Sequence, residues 1–211
     1  QLEGLPGRGI RIIAPDPQGY GKSRPPERTF PVDFYQRDAN GFASLMHTLG
    51  IREYSVGGWS DGAITSLLLT LSQPLRVQKM AIWGGNSYVS QEDVDSYEKT
   101  RDVADWSPKA AEPMKIMYAA GFQSIWSRWC DAQQHIFKTG GDLCKSRLGM
   151  IKCPTFLIHG AKDPLVPLFH AEFLKQGIAG ARLHLFPEGR HNIHLFYAKE
   201  FNEMLVEFLL A

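Results

Sequence analysis

Short apolar runs alternate with longer amphipathic runs along most of the chain. A run near helical spacing at 33–49 predicts a helix, and residues 195–210 predict a closing amphipathic helix. Strands that alternate with helices are typical of a parallel sheet flanked by helices, so we expect an α/β fold. The short runs that predict strands lie at 10–14, 54–57, 79–83, 155–159 and 182–186.

The pattern changes between Tyr88 and Met150, where strand patterns are absent and helix formers and tryptophans are frequent. We interpret this segment as a helical insertion that covers the functional site as a cap. The expected organisation is a first core segment at 1–88, a helical cap at 89–149 and a second core segment at 150–211.

The most informative segment is Gly58-Trp59-Ser60-Asp61-Gly62, which lies between a predicted strand and an apolar helix. Strand, Gly-x-Ser-x-Gly and helix in that order are typical of a nucleophile elbow. A serine on such a strained turn projects its hydroxyl away from the sheet, and we expect both flanking glycines to avoid clashes there. The alternative is an ordinary glycine-rich turn, because the five-residue pattern alone is weak.

A nucleophilic serine needs a base, and the base needs an acid that orients it. His191 lies in the loop after the strand that ends at Phe186, and His194 is its rival there. Asp163 follows the predicted strand at 155–159, although an Asx turn is the alternative for an Asp-Pro pair. The order Ser60, Asp163, His191, each after its own strand, is that of α/β-hydrolases and predicts a catalytic triad.

The composition of the chain argues against several classes of function. The chain is 44% hydrophobic and 21% charged, with a net charge of +1, which gives no electrostatic footprint for nucleic acid or an anionic membrane. Three cysteines, without a Cys-x-x-Cys pair, favour a reducing intracellular compartment over a disulfide framework. We expect no metal or organic cofactor, no membrane insertion, and a monomer that binds a small ester substrate.

Several segments together resemble the valacyclovir hydrolase (biphenyl hydrolase-like) family of α/β-hydrolases, and the likeness extends over essentially the whole chain. They are residues 16–23, 58–62, 82–89, 97–103, 159–167 and 187–194. The resemblance implies a serine hydrolase for esters of α-amino acids, with its triad at Ser60, Asp163 and His191. It also implies that Asp61 recognises the substrate ammonium group, and that the protein is mitochondrial or cytosolic.

Asp61 is the distinctive residue, because a carboxylate beside the nucleophile would oppose the oxyanion of a neutral or anionic acyl group. With a cationic α-ammonium group it becomes an ion-pair partner, whose loss would cost on the order of 2–4 kcal/mol of transition-state stabilisation. The alternative is a helix N-terminal acid worth about 0.3–1 kcal/mol. We expect the backbone N–H of Asp61 to supply half of the oxyanion hole, and Trp59 to contact substrate.

The resemblance also implies that the first three strands of the fold are not in this chain. The second oxyanion donor normally follows the third strand after a His-Gly signature, and no such segment precedes Ile10. We therefore expect the natural protein to have roughly 50–60 further N-terminal residues, and more with a targeting peptide.

Two alternatives of other classes stay open. One is a carboxylesterase or carbon–carbon bond hydrolase of the same fold without amino-group selectivity, which faster turnover of a substrate lacking an amino group would favour. The other is a non-catalytic α/β-hydrolase-like binding protein, which failure of Ser60 to react with a fluorophosphonate would favour.

Overall fold

Four parallel strands form one sheet, in which they lie side by side in the order in which they occur along the chain. The computed structural model describes residues 1–211. The strands are aligned, since Trp59 pairs with Trp83 and Trp83 pairs with Ile158, so their carboxyl ends lie at one edge. The α/β fold class and four of the five predicted strands are confirmed. The strands are β1 Tyr54–Trp59, β2 Val77–Trp83, β3 Thr155–Gly160 and β4 Arg182–Phe186.

Eight α-helices accompany the sheet, and none of them is both long enough and apolar enough to cross a membrane. The helix predicted at 33–49 is confirmed to within one residue at each end. The helix predicted at 195–210 is confirmed from Ala198 to Leu210. Its first residues differ, because Tyr197 leaves helical geometry with φ −113° and ψ 33° and separates a short helix at Ile193–Phe196 from the rest. The helices are α1 Phe34–Thr48, α2 Asp61–Ser72, α3 Gln91–Glu98, α4 Pro108–Tyr118, α5 Phe122–Lys138, α6 Leu168–Gly177, α7 Ile193–Phe196 and α8 Ala198–Leu210.

The strand predicted at 10–14 is wrong. Those residues form no regular structure and are exposed or only partly buried. An apolar run becomes a strand only where a neighbouring strand accepts its backbone hydrogen bonds. No strand lies beside this run, and β1 is itself an edge strand of the sheet.

Alternating side chains of the strands cover both faces of the sheet. In β2, Met80 and Ile82 belong to the larger apolar cluster, which also holds the buried residues of α1 and α2. Ala81 and Trp83 point to the opposite face and join a second cluster with Phe201 of α8. The central strands β2 and β3 are largely buried, as is typical of a parallel sheet covered on both faces, and the strand ends carry the candidate site.

The segment at 89–149 contains α3, α4 and α5 and no strand, apart from one isolated bridge between Tyr88 and Asp142. A buried hydrogen bond fastens it to the sheet layer, since His170 Nε2 of α6 lies 2.8 Å from Asp93 Oδ2 of α3. The segment is helical, as the sequence predicts. Its role as a cap stays a prediction.

Candidate active site

Ser60 lies on the tight turn between β1 and α2 with a backbone conformation that residues other than glycine rarely adopt. Its φ is 55° and its ψ is −119°. The turn is fixed to the next strand, because the N–H of Ser60 donates to the carbonyl of Trp83 at 3.0 Å. A strained residue persists only where the surrounding structure holds it, and strain of this kind is common at functional sites.

The two glycines that flank the elbow have different roles. A Cβ at position 58 would overlap the carbonyl oxygen of Gly62 and crowd Ser66, so the strand and helix approach here only because Gly58 has no side chain. A Cβ at Gly62 would meet nothing within 4 Å. The expected steric need for glycine is confirmed at position 58 and is wrong at position 62.

The candidate acid and base are paired. His191 Nδ1 lies 2.7 Å from Asp163 Oδ2, and their side chains are 10% and 0% exposed. The other oxygen of Asp163 accepts hydrogen bonds from the N–H groups of Leu165 at 2.9 Å and Val166 at 3.0 Å. Burial alone would raise the pKa of Asp163, but the hydrogen bonds from His191 and the backbone outweigh it, and the pKa is lowered. Asp163 is therefore ionised and accepts a hydrogen bond from His191 Nδ1, an arrangement that leaves Nε2 as the acceptor nitrogen of a neutral ring.

The nucleophile candidate lies beside that pair. A Cβ built on Gly84 would come within 3.2 Å of the His191 ring, and one on Gly85 would lie 3.5 Å from the Ser60 carbonyl oxygen. The two residues directly after β2 therefore lie close to the His191 ring and to the Ser60 backbone. No hydrogen bond joins Ser60 to His191, and the Ser60 hydroxyl does not cap α2. The three predicted residues lie at one edge of the sheet, with the hydroxyl uncommitted.

His194, the rival base, has a different environment. Its ring packs against Trp59 and Trp83, with centroid distances of 4.7 and 5.7 Å. Its Nδ1 is buried without a hydrogen-bond partner. Burial lowers its pKa to about 4. His191, and not His194, makes the contact with Asp163.

Asp61 is held by side chains from two distant helices. Its Oδ1 accepts from the hydroxyl of Tyr35 at 2.6 Å, and its Oδ2 accepts from Nε1 of Trp129 at 2.8 Å. Gln133 Nε2 in turn donates to the Tyr35 oxygen at 2.8 Å. Burial raises the pKa of Asp61, and the hydrogen bonds from Tyr35 and Trp129 oppose that rise.

Asp61 has no ion-pair partner of its own. Arg28 is close enough to act on its charge, but both terminal nitrogens of Arg28 bind Asp38, at 2.7 and 2.6 Å. The Arg28–Asp38 pair is nearly neutral as a whole. When the Asp61 carboxyl is ionised, no cationic side chain of its own compensates the charge.

Sequence reasoning missed Tyr35 and Gln133. Trp129 and Gln133 share one face of α5 at a spacing of four residues, which is the only sequence pattern that relates them. Tyr35 and Asp61 are 26 positions apart, and Trp129 and Asp61 are 68 apart. Contacts at such separations depend on how the helices pack and cannot be seen in local spacing.

A cavity of about 310 Å³ lies elsewhere, between α1 and the end of α5. Its lining includes Tyr35, Thr139 and Arg147, but neither Ser60 nor His191. It shares with the candidate site only Tyr35, whose hydroxyl reaches Asp61. No three His, Cys, Asp or Glu side chains lie close enough together to hold a metal ion.

Comparison with known proteins defines the class. A family model described as the alpha/beta hydrolase family matches residues 1–204, and the chain belongs to that family. Over 99% of its length the chain is 45% identical to the mouse protein named serine hydrolase BPHL and 44% identical to the human one, covering 72% of each. The chain is therefore a hydrolase, and the resemblance to the biphenyl hydrolase-like proteins is confirmed.

Solved structures support the same fold. A meta-cleavage product hydrolase of Pseudomonas fluorescens superimposes with a TM-score of 0.78 at 23% identity, over 99% of this chain and 82% of that one. A bromoperoxidase of Bacillus anthracis gives 0.75 at 23% identity, over 100% of this chain and 86% of that one. At such identities the likeness concerns the fold alone.

Proposed function

We propose that the protein is a serine hydrolase that cleaves carboxylic esters of α-amino acids. In this proposal Ser60 is the nucleophile, His191 is the general base and Asp163 orients it. One observation favours this substrate above others of the family. Asp61, directly after Ser60, is a carboxylate held only by the neutral donors Tyr35 and Trp129.

The reaction proceeds through an acyl-enzyme in two steps. Ser60 Oγ attacks the ester carbonyl carbon while His191 Nε2 takes the hydroxyl proton. The carbon–oxygen bond to the alcohol then breaks, and the alcohol leaves with that proton. Water next attacks the acyl carbon and gives a proton to the same nitrogen, which returns it to Ser60 Oγ as the amino acid leaves. Asp163 stays ionised throughout and stabilises the imidazolium.

The backbone N–H of Asp61 is one donor to the oxyanion in this mechanism. It is the first N–H of α2, and the first N–H groups of a helix have no partner inside the helix. The positive end of the helix dipole adds to its effect on negative charge beside Ser60. We further propose that α3, α4 and α5 act as a cap over this site.

The charge of Asp61 explains the preference for an amino group. Burial of an unpaired carboxylate is costly, and an ammonium group on the acyl portion of a substrate would compensate it with a charge-assisted hydrogen bond. The same carboxylate would repel a carboxylate-bearing acyl group and the oxyanion formed from any acyl group. Binding and catalysis are therefore both expected to favour the cationic substrate.

Carbon–carbon bond hydrolysis is the second candidate. The chain is 27% identical to a protein from Comamonas testosteroni named 2-hydroxy-6-oxo-6-phenylhexa-2,4-dienoate hydrolase, over 95% of this chain and 77% of that protein. A dienoate is an anion, and Asp61 has no cation to offset its repulsion. We therefore rank this activity below ester cleavage.

The cellular setting and the oligomeric state are also proposals. Resemblance to the biphenyl hydrolase-like proteins supports a mitochondrial or cytosolic location, and we propose a monomer. Fractionation of cells and light scattering of the purified protein test these two points directly.

The nucleophile is tested by labelling with a fluorophosphonate. We expect stoichiometric labelling of the wild-type protein and none of Ser60→Ala. Labelling that persists in Ser60→Ala, or is absent from the wild type, would contradict the role of Ser60.

The substrate class is tested with an aminoacyl aryl ester and its N-acetylated twin. In Asp61→Asn, kcat/KM for the free amine is expected to fall by about 30- to 1000-fold, corresponding to about 2–4 kcal/mol. The N-acetylated ester is expected to change less than about threefold. Asp102→Asn is the matched control. The Asp102 side chain accepts a hydrogen bond from the backbone N–H of Ala104 at a helix start, and this is its only hydrogen bond. Equal losses on both esters in Asp61→Asn would leave Asp61 a structural acid.

A further inference from the structure

We propose that Tyr35 and Gln133 are positioning residues that hold the Asp61 carboxylate in a single orientation for the substrate amino group. This inference rests on the proposed function above and names the residues that regulate its selectivity. Neither residue is expected to touch the reacting atoms. They act on the reaction through Asp61.

The first branch of the arrangement is a two-step relay. Gln133 Nε2 donates to the Tyr35 oxygen at 2.8 Å, and the Tyr35 hydroxyl donates to Asp61 Oδ1 at 2.6 Å. Tyr35 is 2% exposed and Gln133 is 1% exposed, so bulk water does not compete for these bonds. Because the Gln133 amide supplies the hydrogen of the first bond, the Tyr35 hydrogen is free to point at Asp61.

The second branch comes from the same helix. Trp129 Nε1 donates to Asp61 Oδ2 at 2.8 Å, and Trp129 precedes Gln133 by one turn of α5. The Trp129 indole is fixed by stacking on Trp126, with a centroid distance of 4.6 Å, and by edge contact with Tyr97 at 4.8 Å. Both oxygens of Asp61 are therefore set by α5, directly for one oxygen and through Tyr35 for the other.

The relay also affects the charge of Asp61. Burial raises the pKa of Asp61, and the Tyr35 hydroxyl is a donor that lowers it again. Removal of that hydroxyl is expected to raise the pKa further. The carboxylate would then be protonated at a higher pH, and its attraction for an ammonium group would be lost from that pH downward.

Other ionisable groups act on Asp61 and stay unchanged when the Tyr35 hydroxyl is removed. Arg28 lowers its pKa and Asp38 raises it. The phenols of Tyr20 and Tyr97 also lie within electrostatic range, from the N-terminal region and from α3. A change in pH dependence that a Tyr35 variant shows on the free-amine ester and not on its N-acetylated twin can therefore be assigned to the lost hydrogen bond, because the proposed base His191 serves both esters.

The experiment compares Tyr35→Phe and Gln133→Met with wild type on the free-amine ester and its N-acetylated twin. We expect kcat/KM for the free amine to fall by about 10-fold in Tyr35→Phe, with little change for the twin. The low-pH side of the free-amine profile is expected to move to higher pH. Gln133→Met is expected to shift both quantities in the same direction by a smaller amount. Tyr54→Phe is the matched control, because the buried Tyr54 hydroxyl has no hydrogen-bond partner.

The outcomes separate this inference from the proposed function. If wild type shows no preference for the free amine, the proposed function itself fails. If wild type prefers the free amine and Asp61→Asn removes the preference, the proposed function is supported. The Tyr35 and Gln133 variants then test the relay separately. The relay is then overturned if Tyr35→Phe and Gln133→Met keep the wild-type preference and pH profile, or lose activity equally on both esters. If Tyr35→Phe does not fold, the same criteria apply to Gln133→Met.

Discussion

The indole Nε1 of Trp59 donates a hydrogen bond to the backbone carbonyl oxygen of His191 at 3.0 Å. Trp59 directly precedes Ser60, so this bond ties the elbow to the loop that holds the histidine 132 positions later. The two rings also pack, with a centroid distance of 5.0 Å. Trp59 thereby helps to set the position of Ser60 relative to His191, and its expected contact with substrate stays a prediction.

Removal of this hydrogen bond should reduce activity without unfolding the protein. In Trp59→Phe we expect kcat/KM to fall by about 3- to 10-fold on amine and N-acetylated esters alike, because the loss concerns the base and not the amino group. Steady-state kinetics on both esters measure it. Trp83→Phe is the matched control, since the Trp83 indole nitrogen is buried without a partner. Wild-type rates in Trp59→Phe would show that the bond does not position His191.

Asp163→Asn tests the orientation of the candidate base. An amide there presents an N–H to His191 Nδ1 in place of an oxygen, so the ring takes the tautomer that puts a hydrogen on Nε2. We expect kcat to fall on the order of 10³- to 10⁴-fold, with a much smaller change in KM. Asp142→Asn controls for the loss of a carboxylate that accepts a backbone N–H, here that of Lys145 at 2.7 Å. Activity within tenfold of wild type in Asp163→Asn would remove Asp163 from the mechanism.

The two elbow glycines give a paired stability test. Gly58→Ala is expected to lose about 1–3 kcal/mol of unfolding free energy or more, because its Cβ would overlap the Gly62 carbonyl oxygen. Gly62→Ala is expected to be neutral or to gain about 0.4–1 kcal/mol, since it lies in the first turn of α2 with open space around it. Urea denaturation of both variants measures the difference. Equal losses would contradict the elbow packing described here.

His194 predicts a specific dependence of stability on pH. Its pKa is lowered from 6.5 to about 4 in the folded protein, chiefly by burial. Above pH 6.5 the ring is neutral in both the folded and the unfolded protein, so the buried position of His194 does not reduce the free energy of unfolding there. As pH falls from 6.5 towards 4, only the unfolded chain binds a proton, so the free energy of unfolding falls. For a ring that is partly exposed to solvent we expect the loss to be about 1–2 kcal/mol.

The check is the unfolding free energy of wild type, His194→Gln and His47→Gln across that pH range. His47 lies exposed on α1 and serves as the control. We expect the decline between pH 6.5 and 4 to be smaller in His194→Gln and unchanged in His47→Gln. Parallel curves for all three proteins would contradict the environment assigned to His194.

The parts of the fold that sequence predicts are those that depend on local chemistry. The strands before Ser60, Asp163 and His191 are apolar runs of the right length, and each is followed by a turn. The run at 10–14 has the same local character, but a strand also needs a partner, and none lies beside it. Local apolar spacing also extends through Tyr197, where the backbone nevertheless leaves the helix.

The residues of the candidate site could be predicted from the sequence, but the contacts around Asp61 could not. Ser60, Asp163 and His191 could be proposed because each follows its own strand, and parallel strands end at one edge. The partners of Asp61 could not be proposed, because Tyr35 and Trp129 reach its carboxylate only through the packing of α1 and α5. Tyr35 and Gln133 are 98 positions apart in the chain.

The most direct test of the account is the ratio of kcat/KM for an aminoacyl aryl ester to that for its N-acetylated twin, measured with the wild-type protein. Acetylation removes the positive charge and leaves the scissile ester in place. We expect a ratio of about 30 or more in the wild-type protein and a ratio near one in Asp61→Asn. Ser60→Ala is expected to lose all turnover of both esters. A ratio near one in the wild type would contradict the account and would make Asp61 a helix-capping acid in a general esterase.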